Sequence, residues 1–143
     1  MAVYRKILVL LDLSDHSDQI AVAARDMAAH SDAAMVLLHV VEFVPVEPMG
    51  ESLMPTARIE HELIKRSRAK FAELIARLAL PRTTGRVEAG NTKAEILRVA
   101  SEEKADLIVL GSRERHGLAI LVNLTEDTVL HAAHCDLLAV RLK

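Results

Sequence analysis

The sequence predicts an α/β fold in which helices cover both faces of a parallel sheet of five strands. Apolar runs at residues 7–11, 34–41, 107–110 and 137–140 are typical of buried strands, because apart from His39 they contain no polar residues; the last strand is expected to extend to residue 142. The segments between these runs carry apolar residues at helical spacing. Strands that alternate with helices form right-handed β-α-β units, which assemble into a doubly wound sandwich.

The first β-α-β unit occupies residues 7–41. Between the strand at 7–11 and the first helix lie four side chains suited to turns and N-caps: Asp12, Ser14, Asp15 and Ser17. Ser31 and Asp32 break the helix before the second strand at 34–41. A connection of helix length is what two parallel neighbours require.

The middle of the chain contains an irregular stretch and then a long helix. Residues 43–56 have no apolar periodicity and carry Pro45, Pro48, Gly50 and Pro55. We therefore expect this stretch to be the least ordered part of the molecule, covering either a pocket or a partner. Residues 56–80 have the spacing of one amphipathic helix, which Pro81 should end.

The second half of the chain ends in the stretch that should hold the functional site. Residues 85–89 form a short strand that is less apolar than the others, which places it near a sheet edge. A third helix follows Asn91, and the fourth strand, 107–110, stops at Gly111. In open parallel sheets, ligands bind where the strands end and the next helices begin, so we expect any chemistry near Gly111.

Composition narrows the class of protein. The 143 residues suit a single domain, 1–143, and the formal charge of −2 with 2% aromatic residues gives no footprint for nucleic acid. Cys135 is the only cysteine, which favours a reducing compartment. No apolar run is long enough for a signal peptide or a membrane span, so we expect a cytoplasmic protein without membrane contact.

Three stretches of the sequence carry a family resemblance. They are RKILVLLDLSDHSDQIAVAARDMA at 5–28, AEILRVASEEKADLIVLGSRERHGL at 94–118 and TVLHAAHCDLLAVRLK at 128–143. In this order and at these spacings they resemble the universal stress protein family. The resemblance implies a three-layer α/β/α sandwich with strand order 3-2-1-4-5, Rossmann-like and similar to the adenine nucleotide alpha hydrolases. It also implies a cytoplasmic stress-response homodimer.

Nucleotide-binding members of that family carry a Gly-x2-Gly-x9-Gly-Ser/Thr loop after the fourth strand, where main-chain N–H groups cradle phosphates. Glycine is needed there because a Cβ would block the phosphate. Here Gly111 and Ser112 match the start, but Glu114 occupies the second glycine position. The final pair falls on Leu124 and Thr125, or on Asn123 and Leu124 when aligned from the last strand. Both later glycines are therefore missing in either register.

The resemblance also implies which residues would form a remnant nucleotide site. Asp12 and Val40 match the adenine end, and Gly111, Ser112 and Thr125 match the phosphate end. Three of them have a simpler structural explanation: Asp12 suits a turn, Val40 suits the core and Gly111 suits a tight turn. Because Glu126 and Asp127 follow Thr125, the same segment would repel phosphate. We therefore expect ATP binding to be weak or absent and expect no cofactor. If the protein does bind one, ATP and AMP are the candidates.

Other reactive side chains do not form a recognisable active site. His131, His134 and Cys135 have spacing that could contribute to a zinc site, but no second pair of ligands follows, so we expect no metal. His39, within an apolar strand, should be a hydrogen-bonded core residue. No catalytic motif is present. Two functions stay open: a non-catalytic stress-response dimer that acts through protein partners, and a nucleotide-dependent switch.

The last strand is the predicted dimer interface. In the implied order 3-2-1-4-5 it lies at a sheet edge, where unpaired N–H and C=O groups can pair with another strand. The same strand of a second copy can pair with it across a two-fold axis. We therefore assign Leu138, Val140 and Leu142 to a homodimer contact.

Overall fold

The computed structural model describes residues 4–42, 53–112 and 134–142, with side chains in the long helix described from Arg58 onward. The elements in chain order are β1 (Lys6–Leu10), α1 (Ser17–Ala29), β2 (Ala34–Val41), α2 (Leu53–Arg77), β3 (Thr83–Ala89), α3 (Thr92–Glu102), β4 (Leu107–Ser112) and β5 (Asp136–Arg141). The strands form one parallel sheet in the order β3-β2-β1-β4-β5. The implied strand order is confirmed, and β3 is an edge strand as expected.

The core consists of two hydrophobic clusters, one on each face of the sheet. On one face, α1 and α2 pack against Ile7, Val9 and Val109. On the other, Ile96 and Val99 of α3 pack against the alternate strand residues. Side chains of residues 7–9 in β1 and 107–110 in β4 are almost completely inaccessible to solvent. No helix in the described part of the chain is long and apolar enough to cross a membrane.

The bounds of α2 differ from the expected ones at both ends. The helix begins at Leu53, so the irregular stretch expected up to residue 56 is corrected there; Pro55 is tolerated in the first turn, where N–H groups have no helical partner. It ends at Arg77 because Ala79 adopts a left-handed conformation with φ of 50°. The Leu80 N–H then donates to the Ile75 carbonyl at 3.0 Å, which closes the helix before Pro81.

Several expectations fall on residues whose structure is not described. Residues 43–52 of the irregular stretch belong to this group. So does the segment 113–133, with Glu114, Asn123, Leu124, Thr125, Glu126, Asp127 and His131. The expected disorder of the first segment and the degenerate phosphate loop of the second stay predictions from sequence.

Candidate functional site

A cavity of about 410 Å³ lies where the carboxyl ends of β1, β2 and β4 meet the starts of α1 and α3. This is the edge of the sheet at which the sequence predicted chemistry. Its polar lining residues are Asp12, His39, Glu42 and Thr92, and most of its remaining lining is aliphatic. Its size lies within the range of about 300–1,000 Å³ that is typical of small-molecule sites.

Asp12 has the turn role considered for it, and its contact with a ligand stays a prediction. Its Oδ1 accepts a hydrogen bond from the Ser14 N–H at 2.9 Å, which makes a local turn after β1. It also lines the cavity. Leu13 adopts a positive φ of 63° in this turn, a conformation that costs a non-glycine residue about 1 kcal/mol or more. The packed surroundings therefore hold the residue after Asp12 in a strained conformation.

The start of α1 differs from the expected capping pattern. The N-cap residue is His16, in a helical conformation and without a side-chain capping bond. Ser14 Oγ instead accepts a hydrogen bond from the His16 N–H at 3.3 Å. Ser17 is buried in the first turn, and its Oγ has no hydrogen-bond partner among the residues that the structure describes. The predicted turn is present, but the N-cap position is occupied by His16 and not by one of the four predicted side chains.

The His39 side chain on β2 forms a hydrogen bond with the backbone just after β1. Its Nδ1 lies 2.9 Å from the Leu11 carbonyl oxygen, and because a carbonyl can only accept, Nδ1 carries the donated proton. The Leu11 N–H donates to the Leu38 carbonyl at 2.9 Å, so both polar groups of Leu11 are held by β2. The hydrogen bond agrees with the prediction for His39. Its side chain is only half-buried and lines the cavity, a position that was not predicted from the sequence.

Gly111 is explained by close packing rather than by a tight turn. It lies within β4, paired with Val140, and does not have a positive φ. A Cβ at this position would approach Ile20 Cδ1 and Leu142 Cδ1 to 2.8 Å each. The expected end of the strand at Gly111 is therefore corrected: β4 continues to Ser112. Ser112 is half-buried beside Arg141 and is not among the residues lining the cavity.

Val40 packs in the cluster beneath α3, as the core interpretation expected, and it also lines the cavity, where its contact with a base stays a prediction. Glu42 and Thr92 are further lining residues that were not predicted from the sequence. Their positions just after β2 and at the start of α3 were the available signal, since both places face the carboxyl edge of the sheet. None of the described lining residues is Lys or Arg, so Asp12 and Glu42 give this part of the cavity an acidic character.

The remaining candidate residues lie around β5. Leu138, Val140 and Leu142 are half-buried and pack against the cluster under α1 and α2. Leu142 is in addition turned toward Gly111 and the cavity. Burial raises the pKa of the Cys135 thiol, and the Asp136 carboxylate adds to this shift, which disfavours the nucleophilic thiolate. Among residues 4–42, 53–112 and 134–142, no group of three or more potential ligands could hold a metal ion.

Comparison with known proteins agrees with this architecture. The sequence profile of the Universal stress protein family matches residues 3–141. Universal stress protein A homolog 2 of Coxiella burnetii is 35% identical over 141 residues, covering 98% of this chain and 97% of that protein. The structure of UspA from Lactobacillus plantarum aligns with a TM-score of 0.78 at 23% identity, covering 99% of this chain and 100% of the other.

A universal stress protein solved in complex with cAMP shares the fold at a TM-score of 0.65 and 19% identity, covering 97% of this chain and 98% of that one. The profile match spans nearly the whole chain, and the Coxiella relative matches over almost its full length. This chain therefore belongs to the universal stress protein family.

Proposed function

We propose that this protein is a non-catalytic, cytoplasmic stress-response homodimer that binds adenosine or AMP, binds ATP weakly or not at all, and acts through protein partners. The observation that carries the proposal is the cavity at the carboxyl edge of the sheet, lined by both Asp12 and Val40. These are the two residues that the family resemblance assigns to the adenine.

The described part of the cavity suits a planar, neutral base. Val40, Ile96 and Leu110 offer aliphatic contacts to the faces of a ring. The Asp12 carboxylate can accept a hydrogen bond from an exocyclic amine, and Glu42 and Thr92 can bond to sugar hydroxyls. A hydrogen bond to a charged group contributes about 1.5–3 kcal/mol, enough to orient such a ligand.

The same lining disfavours a polyphosphate. Asp12 and Glu42 are the ionisable acids of the lining, and no described lining residue is Lys or Arg. A carboxylate about 5 Å from a phosphate oxygen costs on the order of 1 kcal/mol even when well screened. The sequence adds Glu114, and Asn123 with Leu124, at the positions where phosphate-binding relatives have glycine. Each added phosphate should therefore lower the affinity.

The complex of a structural neighbour with cAMP supports a site for adenine monophosphates. It also keeps a second function open, in which AMP or ATP binding switches the protein between states. The form of this second function that responds to ATP differs from the favoured function in one measurable respect, because it needs tight triphosphate binding.

Isothermal titration calorimetry with adenosine tests the proposal. The test variant is Asp12→Asn. Asparagine keeps the Oδ1 acceptor for the Ser14 N–H, so the turn is preserved while the charge is removed. We expect the adenosine dissociation constant to rise by roughly tenfold or more, because one charge-assisted hydrogen bond is lost. The matched control is Asp15→Asn, an exposed acid in the same loop, which should leave the affinity unchanged. Adenosine binding that is absent, or equal in both variants, would contradict the proposal.

The homodimer is proposed through the outer edge of β5. The Asp136 and Leu142 N–H groups donate to the Asp106 and Ser112 carbonyls on the β4 side. Because N–H groups alternate along a strand, the Ala139 N–H points away from β4 toward the free edge. Leu138 and Val140, both half-buried, would be covered further by the second copy. This edge supplies the backbone groups that an antiparallel pair requires.

A further inference from the structure

His39 is a polar residue of the cavity lining that has no part in the ligand contacts described so far. It lies on β2 directly before Val40, and its side chain is half-buried. Its Nδ1 donates a hydrogen bond to the Leu11 carbonyl oxygen at 2.9 Å. Because Leu11 directly precedes Asp12, the imidazole lies against the backbone that carries the acid proposed to contact the adenine. A polar side chain in this place can take part in ligand recognition.

The hydrogen bond to Leu11 determines what the second ring nitrogen of His39 can do. A neutral imidazole carries one proton, and because Nδ1 holds it here, Nε2 carries a lone pair. Nε2 has no hydrogen-bond partner among the described residues. It is also not one of their fully buried side-chain atoms that lack a partner, which are the hydroxyls of Ser17 and Ser31. Nε2 is therefore an accessible acceptor on a residue that lines the cavity.

The orientation of this acceptor is set before a ligand arrives. The Leu11 carbonyl holds the ring, and the Leu11 N–H is itself bonded to the Leu38 carbonyl of β2 at 2.9 Å. Glu42, another acceptor of the lining, is exposed and forms no hydrogen bond or ion pair with the described residues. An acceptor that is already held loses less conformational entropy on binding than a free side chain does. His39 is therefore better suited than Glu42 to select one group of a ligand.

We propose that Nε2 of His39 accepts a hydrogen bond from the exocyclic amine of the bound adenine and so makes the cavity specific for 6-aminopurines; this inference rests on the proposed adenosine site. The exocyclic amine carries two N–H groups. The Asp12 carboxylate can accept one of them, and the other needs its own acceptor, because a buried donor without a partner weakens binding. His39 and Asp12 both lie at the end of β1, since the imidazole bonds to the residue before Asp12.

The same two acceptors disfavour purines that carry a 6-oxo group. In hypoxanthine and guanine this oxygen replaces the amine, so it would face the lone pairs of the imidazole and of the carboxylate. Neither side chain has a proton to donate to it, because the proton of the neutral His39 ring is already given to the Leu11 carbonyl. A site whose polar groups are left unpaired rejects the wrong ligand strongly. Adenosine should therefore bind more tightly than inosine.

Isothermal titration calorimetry with two ligands and two proteins tests this contact. The ligands are adenosine and purine riboside, which differ only in the exocyclic amine, and the variant is His39→Asn. The asparagine amide can still donate to the Leu11 carbonyl, but it has no atom in the place of Nε2. We expect the variant to bind adenosine roughly three- to tenfold more weakly than the parent, because one hydrogen bond is lost. It should bind purine riboside at least as well as the parent does.

Nitrogen-15 NMR of the imidazole gives a second readout, which a purely structural role of His39 would not change. In the free parent protein we expect Nδ1 to be protonated and Nε2 to be unprotonated, the reverse of the tautomer that predominates in water. Adenosine should shift the Nε2 resonance, because this atom then accepts a hydrogen bond, and purine riboside should shift it much less. This measurement needs only the parent protein, so it decides the question even if the variant does not fold.

His30→Asn is the matched control, because it makes the same change at an exposed histidine that follows α1 and does not line the cavity. It should leave both affinities unchanged. If His39→Asn weakened adenosine and purine riboside equally, or weakened adenosine but not 2′-deoxyadenosine, the contact with the amine would be wrong. Unchanged adenosine binding by His39→Asn would overturn this inference alone. Absence of adenosine binding by the parent would overturn the proposed function as well.

Discussion

The two edges of the sheet are stabilised in different ways. At the β3 edge, Arg86 on the strand contacts Glu88, Glu102 and Glu103, and so ties the strand to α3. Arg98 on α3 contacts Glu88, Glu95 and Glu102 and completes the network. At the β5 edge, the described contacts are fewer: Tyr4 Oη donates to Asp136 at 2.7 Å, and the Gln19 amide donates to the Arg141 carbonyl at 3.1 Å.

Among the described residues, β3 has more side-chain contacts with its own chain than β5 has. β3 is held by α2 through Phe71 and by the ion pairs to α3. β5 retains half-exposed apolar side chains and outward N–H groups, which are the features of an edge that pairs with another strand. Changes at β3 should therefore alter folding stability, whereas changes at the outer side of β5 should alter the oligomeric state.

The largest expected effect is that of Gly85→Ala at the β3 edge. The added Cβ would lie 2.8 Å from Phe71 Cδ2 and 3.0 Å from Phe71 Cβ, and Phe71 is buried in the core. Such overpacking typically costs about 1–3 kcal/mol. Urea unfolding should show this loss, and Thr84→Ala, at an exposed position next in the strand, should show much less. A Gly85→Ala variant as stable as the parent would mean that β3 is not closely packed on α2.

The second effect is on assembly. Ala139→Pro should shift the protein from dimer to monomer at tens of micromolar, because proline removes the outward N–H donor of β5. Ala139→Thr keeps the donor and is the control. Sedimentation velocity measures the difference. A dimer that persists in Ala139→Pro would move the dimer contact away from this edge.

The smallest effect concerns the ion-pair network. Hydrogen bonds from Arg98 hold the pKa of Glu95 below its ordinary value of 4.5. The folded state therefore binds fewer protons than the unfolded state, so this stabilisation is present above the ordinary glutamate pKa and is lost as the pH falls through the lowered one. Arg98→Met should reduce the fall in unfolding free energy that accompanies acidification. It should also lower the melting temperature less than Gly85→Ala does. If the unfolding free energy of the variant falls with acidification as steeply as that of the parent, the network does not contribute to stability.

Strand positions could be predicted from the sequence because continuous apolar runs leave few alternatives, and β1, β2 and β4 match closely. Helix ends could not, since Ala79 and Lys104 take left-handed conformations that are expected from sequence only at glycine or asparagine. The requirement for glycine at position 111 could not be predicted either, because it arises from close contacts with Ile20 and Leu142, which are distant in sequence. His39 was predicted to be hydrogen-bonded, but its place in the cavity required the register of β2 beside β1.

The most direct test of the central claim, an adenine site without a working phosphate loop, is calorimetry with ATP and magnesium on the parent and on a variant with restored loop residues. The variant carries Glu114→Gly, Asn123→Gly and Leu124→Ser. We expect little or no ATP binding by the parent and measurable binding by the variant, with adenosine binding equally to both. Low-micromolar ATP binding by the parent would contradict the account.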